Sequence, residues 1–370
     1  MLRPQFARSQ ISDLDLEEKH VGHMLKQLTI DASGWTESVD LGPIFFRLTM
    51  DSATEFLFGQ STNSQVAHDP RNRSSISPHL LRWSDVATSF DRGTSVLGTR
   101  ARLEDFYWAY NPRYFRDDCV KIRQFADFCI EQALQKRQFK KADTYIFLDE
   151  LLDKTQDTSE VRSQLLNIFL AGRDTTAGLL GWTIWSLARN RDVFDKLRTY
   201  ILEDFGGPSD GNSITFEGLK SCTYLQHVLQ ETLRLYPSVP FNSRQATRNT
   251  TLPHGGGPDG SSPVYVRKNQ VVGYSVYVMH RNKDLWGEDA EMFNPDRWVG
   301  RKSGWDYLPF NGGPRVCLGQ QFALTEAAYV ITRLLQQFDR IENTDPENEP
   351  WQQYSLTSAP KQVFVRLHKA

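Results

Sequence analysis

The chain has 370 residues, with 43 Lys+Arg against 45 Asp+Glu and a formal charge of −2. That balance excludes the broad basic footprint that nucleic-acid binding requires. With 39% hydrophobic, 12% aromatic and 24% charged residues, the composition is that of a globular protein of one large or roughly two domains, and excludes a disordered, collagen-like or membrane-embedded chain.

The opening stretch, MLRPQFARSQ, has no apolar h-region behind its basic residues, and no run in the chain approaches the ~18 apolar residues of a spanning helix. Neither signal peptide nor anchor is expected, and the chain reads as soluble. Cys119, Cys129, Cys222 and Cys317 are too scattered for a disulfide framework and form no C-x-x-C pair, which points to a reducing compartment. In that compartment the N-x-[ST] matches at Asn72 and Asn249 carry no glycan.

Apolar residues recur at helical spacing over 161–189 and 219–235, and a further helix is expected over 193–205 with Gly206 as its cap. Midway through the first lies Ala171-Gly172-Arg173-Asp174-Thr175-Thr176, a polar patch in an apolar segment. An interior glycine costs roughly 1 kcal/mol, and Asp and Thr compete with the helix hydrogen bonds, so the patch reads as a kink, a restart capped by Asp174, or a functional interruption. Residues 205–212 and 252–263, rich in Gly, Pro and Ser, read as surface loops, and strands are expected at 264–266 and 271–278. The fold class is mainly α with a small β subdomain.

Two motif matches are discounted. Gly255, Gly257 and Gly260 satisfy G-x-G-x-x-G, but Pro258 lies inside and Pro263 stands where a helix should open, so a hairpin loop is expected. Gly207, Ser209 and Gly211 satisfy the G-x-S-x-G elbow of serine hydrolases, yet a helix ends just before them where a strand is required.

Residues 307–321 read YLPFNGGPRVCLGQQ, a glycine-rich turn delivering Cys317 to the front of an amphipathic helix over 320–338. A sulfur there lies near the positive end of the helix dipole and near unpaired N–H groups, both favouring thiolate and making Cys317 a metal-ligand candidate; a free cysteine capping a buried helix is the alternative. Gly312, Gly313 and Gly319 lack Cβ atoms and would let a flat cofactor approach, and Arg315 offers a fixed positive charge for its carboxylates.

Phe310, Gly313, Arg315, Cys317 and Gly319 together fill F-x-x-G-x-R-x-C-x-G. In this the chain resembles the cytochrome P450 family of haem-thiolate monooxygenases. The resemblance implies the P450 fold in a single haem-binding domain over 1–370, with its β-rich portion at about 236–280. It implies haem as cofactor with Cys317 as the proximal iron ligand, a thiolate that favours O–O cleavage. The patch at 171–175 resembles the family's A-G-x-D-T element, implying that Thr175 bonds dioxygen or its water and that Asp174 relays protons. Glu231 and Arg234 resemble E-x-x-R, otherwise an ordinary exposed pair, and Arg297 in FNPDRW completes the implied buried structural network. Arg244 resembles the strand arginine that meets a haem propionate.

GRDTTAGLL, LYPSVPFNSR and YLPFNGGPRVCLGQQFALTEAAYV are most similar to the fungal group that hydroxylates n-alkanes and fatty acids, whose relatives also act on alkyl chains of secondary metabolites. Phe169, Leu170, Val239 and Phe241 would then line an apolar channel or, as is commoner for such residues, pack into the core. Electrons would come from an NADPH-dependent flavoprotein reductase docking near Arg301 and Lys302. The family's N-terminal anchor, first helix and sheet, and Trp/Arg pair are not found in this sequence, so it reads as incomplete at its N-terminus. Full-length relatives sit on the cytoplasmic side of the endoplasmic reticulum membrane. The rival readings are a non-catalytic remnant that binds haem weakly or not at all and, distantly, a serine hydrolase.

Overall fold

The computed structural model describes residues 6, 12, 14–69, 71, 82–137, 146–208, 214–347 and 349–370. Asn72, Ser209 and Gly211, which figured in the glycosylation and hydrolase motifs, lie outside them. In chain order the first half comprises α1 (Asp15–Gln27), β1 (Val39–Asp40), α2 (Leu41–Phe58), α3 (Ser64–His68), α4 (Val86–Leu103), α5 (Arg113–Arg137), α6 (Phe147–Leu152) and α7 (Thr158–Leu187). Then follow α8 (Arg191–Phe205), α9 (Phe216–Ser221), α10 (Thr223–Leu235), β2 (Phe241–Gln245), β3 (Thr250–Gly256), β4 (Ser262–Val266), β5 (Val271–Ser275), α11 (Val276–Met279) and α12 (Lys283–Trp286). The chain closes with α13 (Gln320–Gln337), β6 (Phe338–Asn343), β7 (Gln352–Tyr354), β8 (Ser358–Pro360) and β9 (Phe364–Lys369).

Helix α7 is the axis of the fold. Asp157 caps it by accepting from the N–H groups of Ser159 and Glu160, and its 30 residues run unbroken through the polar patch, so Asp174 caps no restart. From Thr176 to Leu187 every residue is buried, as befits a helix apolar all round. Against this half pack α2, α8, α10 and α13 in the main core, where Trp182 stacks on Tyr236 at 4.1 Å. A second cluster joins the first half of α7 to α2, α4, α5 and α6.

Small antiparallel sheets flank the helices, with β1, β9 and β6 in one and β2–β5, β3–β4 and β7–β8 as pairs. Asp40 ties the first sheet to α2, its Oδ1 accepting from both Gly42 N–H at 3.0 Å and Val363 N–H at 2.8 Å. The Gly/Pro segment expected to be a loop is largely strand: β3 pairs with β4, with the register shifting between Leu252 and Gly256. A hairpin irregularity beside Pro253 is where a residue without an N–H is tolerated. Strand β5 ends at Ser275, short of expectation, because the Ser275 hydroxyl accepts from Val278 N–H and starts α11. The helix expected over 219–235 divides at Cys222, whose ψ of 86° is not helical.

Where α1, α2 and α13 meet, two acids are buried. The Ser52 hydroxyl donates to Glu326 Oε1 at 2.5 Å, while Glu17 Oε2 finds no partner among the described residues. Burial raises the Glu326 carboxyl to about 7, and burial together with the neighbouring Glu326 raises Glu17 well above the carboxylate range. A carboxyl held protonated in the fold and ionised when unfolded stabilises least at high pH, its contribution draining as pH rises from about 4.5 to about 7. Glu326→Gln should therefore raise stability by roughly 1–3 kcal/mol at pH 8 and change it little at pH 4.5, read from denaturant unfolding at the two pH values.

Candidate active site

Arg234 on α10 is fully buried, and the guanidinium of a buried arginine must spend all its donors. Nε and Nη2 form a fork onto Glu231 Oε2 and Oε1, each at 2.8 Å; Nη1 donates to the carbonyls of His280 (2.8 Å) and Ala290 (2.6 Å), and Nη2 to that of Met292 (3.0 Å). All five N–H groups are thereby used. Glu231, also fully buried, accepts in addition from Asn294 N–H (2.9 Å), Arg297 Nε (3.0 Å) and the Trp298 indole N–H (3.0 Å). Arg297 continues outward to Asp289 at 2.8 Å. The sequence motifs named Glu231, Arg234 and Arg297; Asp289 and Trp298 carry no signal of their own spacing.

His280 links this cluster to the cysteine loop. Its Nδ1–H donates to Arg234 O (3.1 Å) and its Nε2 accepts from Leu308 N–H (2.9 Å), which requires the neutral ring. Burial supports that state, pushing the imidazole down to about 4. Tyr307 stacks on the same ring at 5.1 Å and donates its hydroxyl to Gln230 O at 3.0 Å. The loop thus leaves the cluster already anchored at two consecutive residues.

Beyond the anchor, Cys317 N–H donates to Phe310 O at 2.9 Å and closes the turn. The glycines serve the turn more than a ligand. A Cβ on Gly312 would lie 2.8 Å from the Trp305 ring, and Gly313 has φ +65°. Gly313 and Gly319, with nothing closer to such a Cβ than a Trp305 and a Phe6 carbon, each at 3.9 Å, leave the open space expected. Cys317 is exposed, as are its apolar neighbours Val316 (44%) and Leu318 (46%). Desolvation by the surrounding protein raises the thiol, and the Gly319 N–H bonded to it pulls the other way, so the helix front alone does not yield a thiolate. Arg315 is exposed and makes no hydrogen bond or ion pair among the described residues. On β2, Arg244 is exposed, donating to Ser243 O (2.8 Å) and to Asn311 Oδ1 (3.2 Å) of the cysteine loop.

On α7, Ala171 is exposed in mid-helix, and nothing lies within 4 Å of a Cβ placed on Gly172. Thr175, half-buried, donates its hydroxyl to Ala171 O at 2.9 Å, and its own carbonyl receives the Ser238 hydroxyl at 3.1 Å. Asp174 faces another way, buried against Arg173 Nη1 at 2.8 Å; burial raises its carboxyl while Arg173 opposes the rise. Of the proposed channel residues, Phe241 is 61% exposed and Leu170 and Val239 are half-buried. Phe169 is 1% exposed, its ring packed 4.5 Å from Phe90, and belongs to the core instead.

These features fit a planar, anionic-edged iron porphyrin. The chain offers a soft sulfur donor, exposed apolar faces at Val316, Leu318 and Phe241, an open glycine surface on α7 at Gly172, and two exposed arginines for propionates. Cys317 would hold the metal; Arg244 and Arg315 would hold the carboxylates.

The family model described as cytochrome P450 matches residues 14–367. Cytochrome P450 monooxygenase g430 of a Fusarium species is 50% identical over 358 residues, covering 94% of this chain and 62% of that protein. Cytochrome P450 52A13 of Debaryomyces hansenii is 48% identical over 360 residues, covering 95% and 68%. Cytochrome P450 monooxygenase alt2 of Alternaria solani is 46% identical over 382 residues, covering 99% and 71%. The chain thus spans about three-fifths of the length of the Fusarium relative.

Glu231→Ala should cost about 3–5 kcal/mol by stranding the buried Arg234 charge, whereas Trp298→Phe should cost about 1–3 kcal/mol, both read from denaturant unfolding. Because His280 is held below its ordinary value, its share of stability is complete above about pH 6.5 and drains as pH falls toward about 4. His280→Gln should flatten that acid loss in thermal melts taken between pH 7 and 4.5.

Proposed function

The chain belongs to the cytochrome P450 family, and from that premise we propose that it is a haem-thiolate monooxygenase converting R–H, O2, two electrons and two protons to R–OH and water. The observation that carries this reading is the cysteine loop: Cys317 is exposed at the head of α13 on a turn pinned through Leu308 and His280 to a fully buried charge cluster. Haem, when bound, supplies the redox chemistry that activates dioxygen. The chain's own residues position it and manage protons. Cys317 would hold the iron through its sulfur, Arg244 and Arg315 would bind the propionates, and the Thr175 hydroxyl, able to turn from Ala171 O, would hold a proton over the open surface at Gly172. Asp174, its carboxyl raised by burial, stores the next proton one residue away.

The substrate we propose is an apolar alkyl chain of an alkane, fatty acid or lipid-like secondary metabolite, following the chain's resemblance to the fungal hydroxylases and the exposed Phe241. Electrons are proposed to come from an NADPH-dependent flavoprotein reductase. Of the two basic residues proposed for its docking, Arg301 is engaged with Asp306 and lies over Trp286 at 4.0 Å, while Lys302 is exposed. Among the described residues no helix is long and apolar enough to cross a membrane. Attachment to the cytoplasmic face of the endoplasmic reticulum is proposed by analogy with full-length relatives.

The reduced carbon-monoxide difference spectrum of the haem-loaded chain should show the far red-shifted Soret band of thiolate ligation, and Cys317→Ala should abolish it. A chain that takes up no haem would favour the remnant reading. Thr175→Ala should keep the band and divert reducing equivalents to peroxide, with product per NADPH falling roughly tenfold.

A further inference from the structure

Asp174 is not isolated behind α7. Arg173, only 1% exposed, donates through Nη1 both to Asp174 at 2.8 Å and to Asp91 Oδ1 on α4, and through Nε to Phe46 O at 3.2 Å. Its guanidinium sits over the rings of Phe46 on α2 (4.8 Å) and Phe90 on α4 (5.5 Å). The side chain of Asp91 is 55% exposed, so one arginine joins a wetted carboxylate to a buried one. All three border a solvent-open cavity of about 560 Å³ lined by α2, α3, α4, α7 and the β7–β8 hairpin. A guanidinium cannot give up its proton, so a proton reaching Asp174 from this side travels through water in the cavity.

We propose that Asp91 is a positioning residue for Asp174: acting through Arg173, it sets the protonation of the buried carboxyl and its access to the cavity, and the seating of α4 therefore governs proton supply. This rests on the monooxygenase reading, in which Asp174 serves the oxygen side of α7. Each proton leaving Asp174 toward Thr175 is replaced by one from a cavity water, itself replenished from bulk solvent. The seating of α4 depends on the hairpin. Arg102 Nη2 donates to Tyr354 O at 2.6 Å, and Gly98 lies so close to the turn that a Cβ there would be 2.6 Å from the Ser355 backbone. Whatever displaces the hairpin or α4 pulls Asp91 from Arg173 and leaves Asp174 as the one carboxylate partner of its guanidinium among the described residues.

Five other ionisable groups face the cavity: Arg47 from α2, His68 from α3, Asp85 at the start of α4, paired with Lys121, Tyr354 on β7 and Lys361 beyond β8. They are unchanged by substitution of Asp91, so an effect on Asp174 is read against a constant background. Removing the Asp91 charge both frees Arg173 for Asp174 and takes away a repelling neighbour, and both favour an ionised Asp174.

The test is the infrared carbonyl band of protonated Asp174 in the full chain, assigned by its loss in Asp174→Asn and titrated in wild type, Asp91→Asn and Asp91→Glu. The midpoint should fall by about one pH unit or more in Asp91→Asn and return toward wild type in Asp91→Glu. In the haem-loaded chain with reductase, Asp91→Asn should lower product per NADPH several-fold and alter the solvent isotope effect, with the thiolate spectrum intact. An unmoved midpoint in Asp91→Asn overturns the inference, as does a moved midpoint with an unchanged solvent isotope effect. Absence of the Cys317-dependent thiolate spectrum alongside a moved midpoint would defeat the monooxygenase reading and uphold the coupling of Asp91 to Asp174.

Discussion

The guanidinium of Arg234 is the point from which the site is built. It carries a full charge with no access to solvent, a condition tolerable only when every donor is matched and a counter-charge lies in contact. Glu231 supplies the counter-charge, and three backbone carbonyls at His280, Ala290 and Met292 take the remaining donors. Those carbonyls lie between β5 and the cysteine loop, outside the short helices α11 and α12, where no long helix or sheet ladder holds the chain. A buried charge thus does for irregular backbone what hydrogen-bond repetition does for helices and sheets. The cost of mismatching it makes the path of residues 280–308 nearly unique, and the cysteine loop leaves from the end of that path.

A second tension runs along α7. A helix of 30 residues would be more stable without Gly172, Asp174 and Thr175 in its middle. Packing over the remainder offsets that, since the turns after the patch are buried on every side and those before it bury a stripe of Val161, Leu165 and Phe169 in the second hydrophobic cluster. The interruption survives as an open backbone surface at Gly172 on one side and as a buried carboxyl tied to Arg173 on the other. The two sides have separate surroundings, which lets one face serve a ligand while the other meets water in the cavity between α2 and α4.

Much of this is visible in the sequence because it is local. Helical periodicity locates α7, α8 and α13 to within a few residues, and the spacing around Cys317 and between Glu231 and Arg234 is carried by contiguous segments. What escapes is set by residues distant in the chain. His280, which fixes the cysteine loop through Leu308, is a lone histidine in an unremarkable stretch. Asp91 stands 82 residues from the arginine it meets. Phe169 has the composition of a channel residue, and only the proximity of Phe90 assigns it to the core. Gly312 reads as room for a cofactor until the Trp305 ring is seen to occupy that room. Residues 252–256, within the stretch 252–263, read as loop because Gly and Pro are poor strand formers, yet β4 supplies the partner that overrides propensity.

The claim on which the account rests is that the buried cluster presents the sulfur of Cys317 to an iron porphyrin. Iron-edge X-ray absorption of the chain loaded with haemin measures this at the metal itself. One sulfur neighbour in the first coordination shell, lost on Cys317→Ser, is the predicted result; a shell of nitrogen and oxygen alone would contradict it.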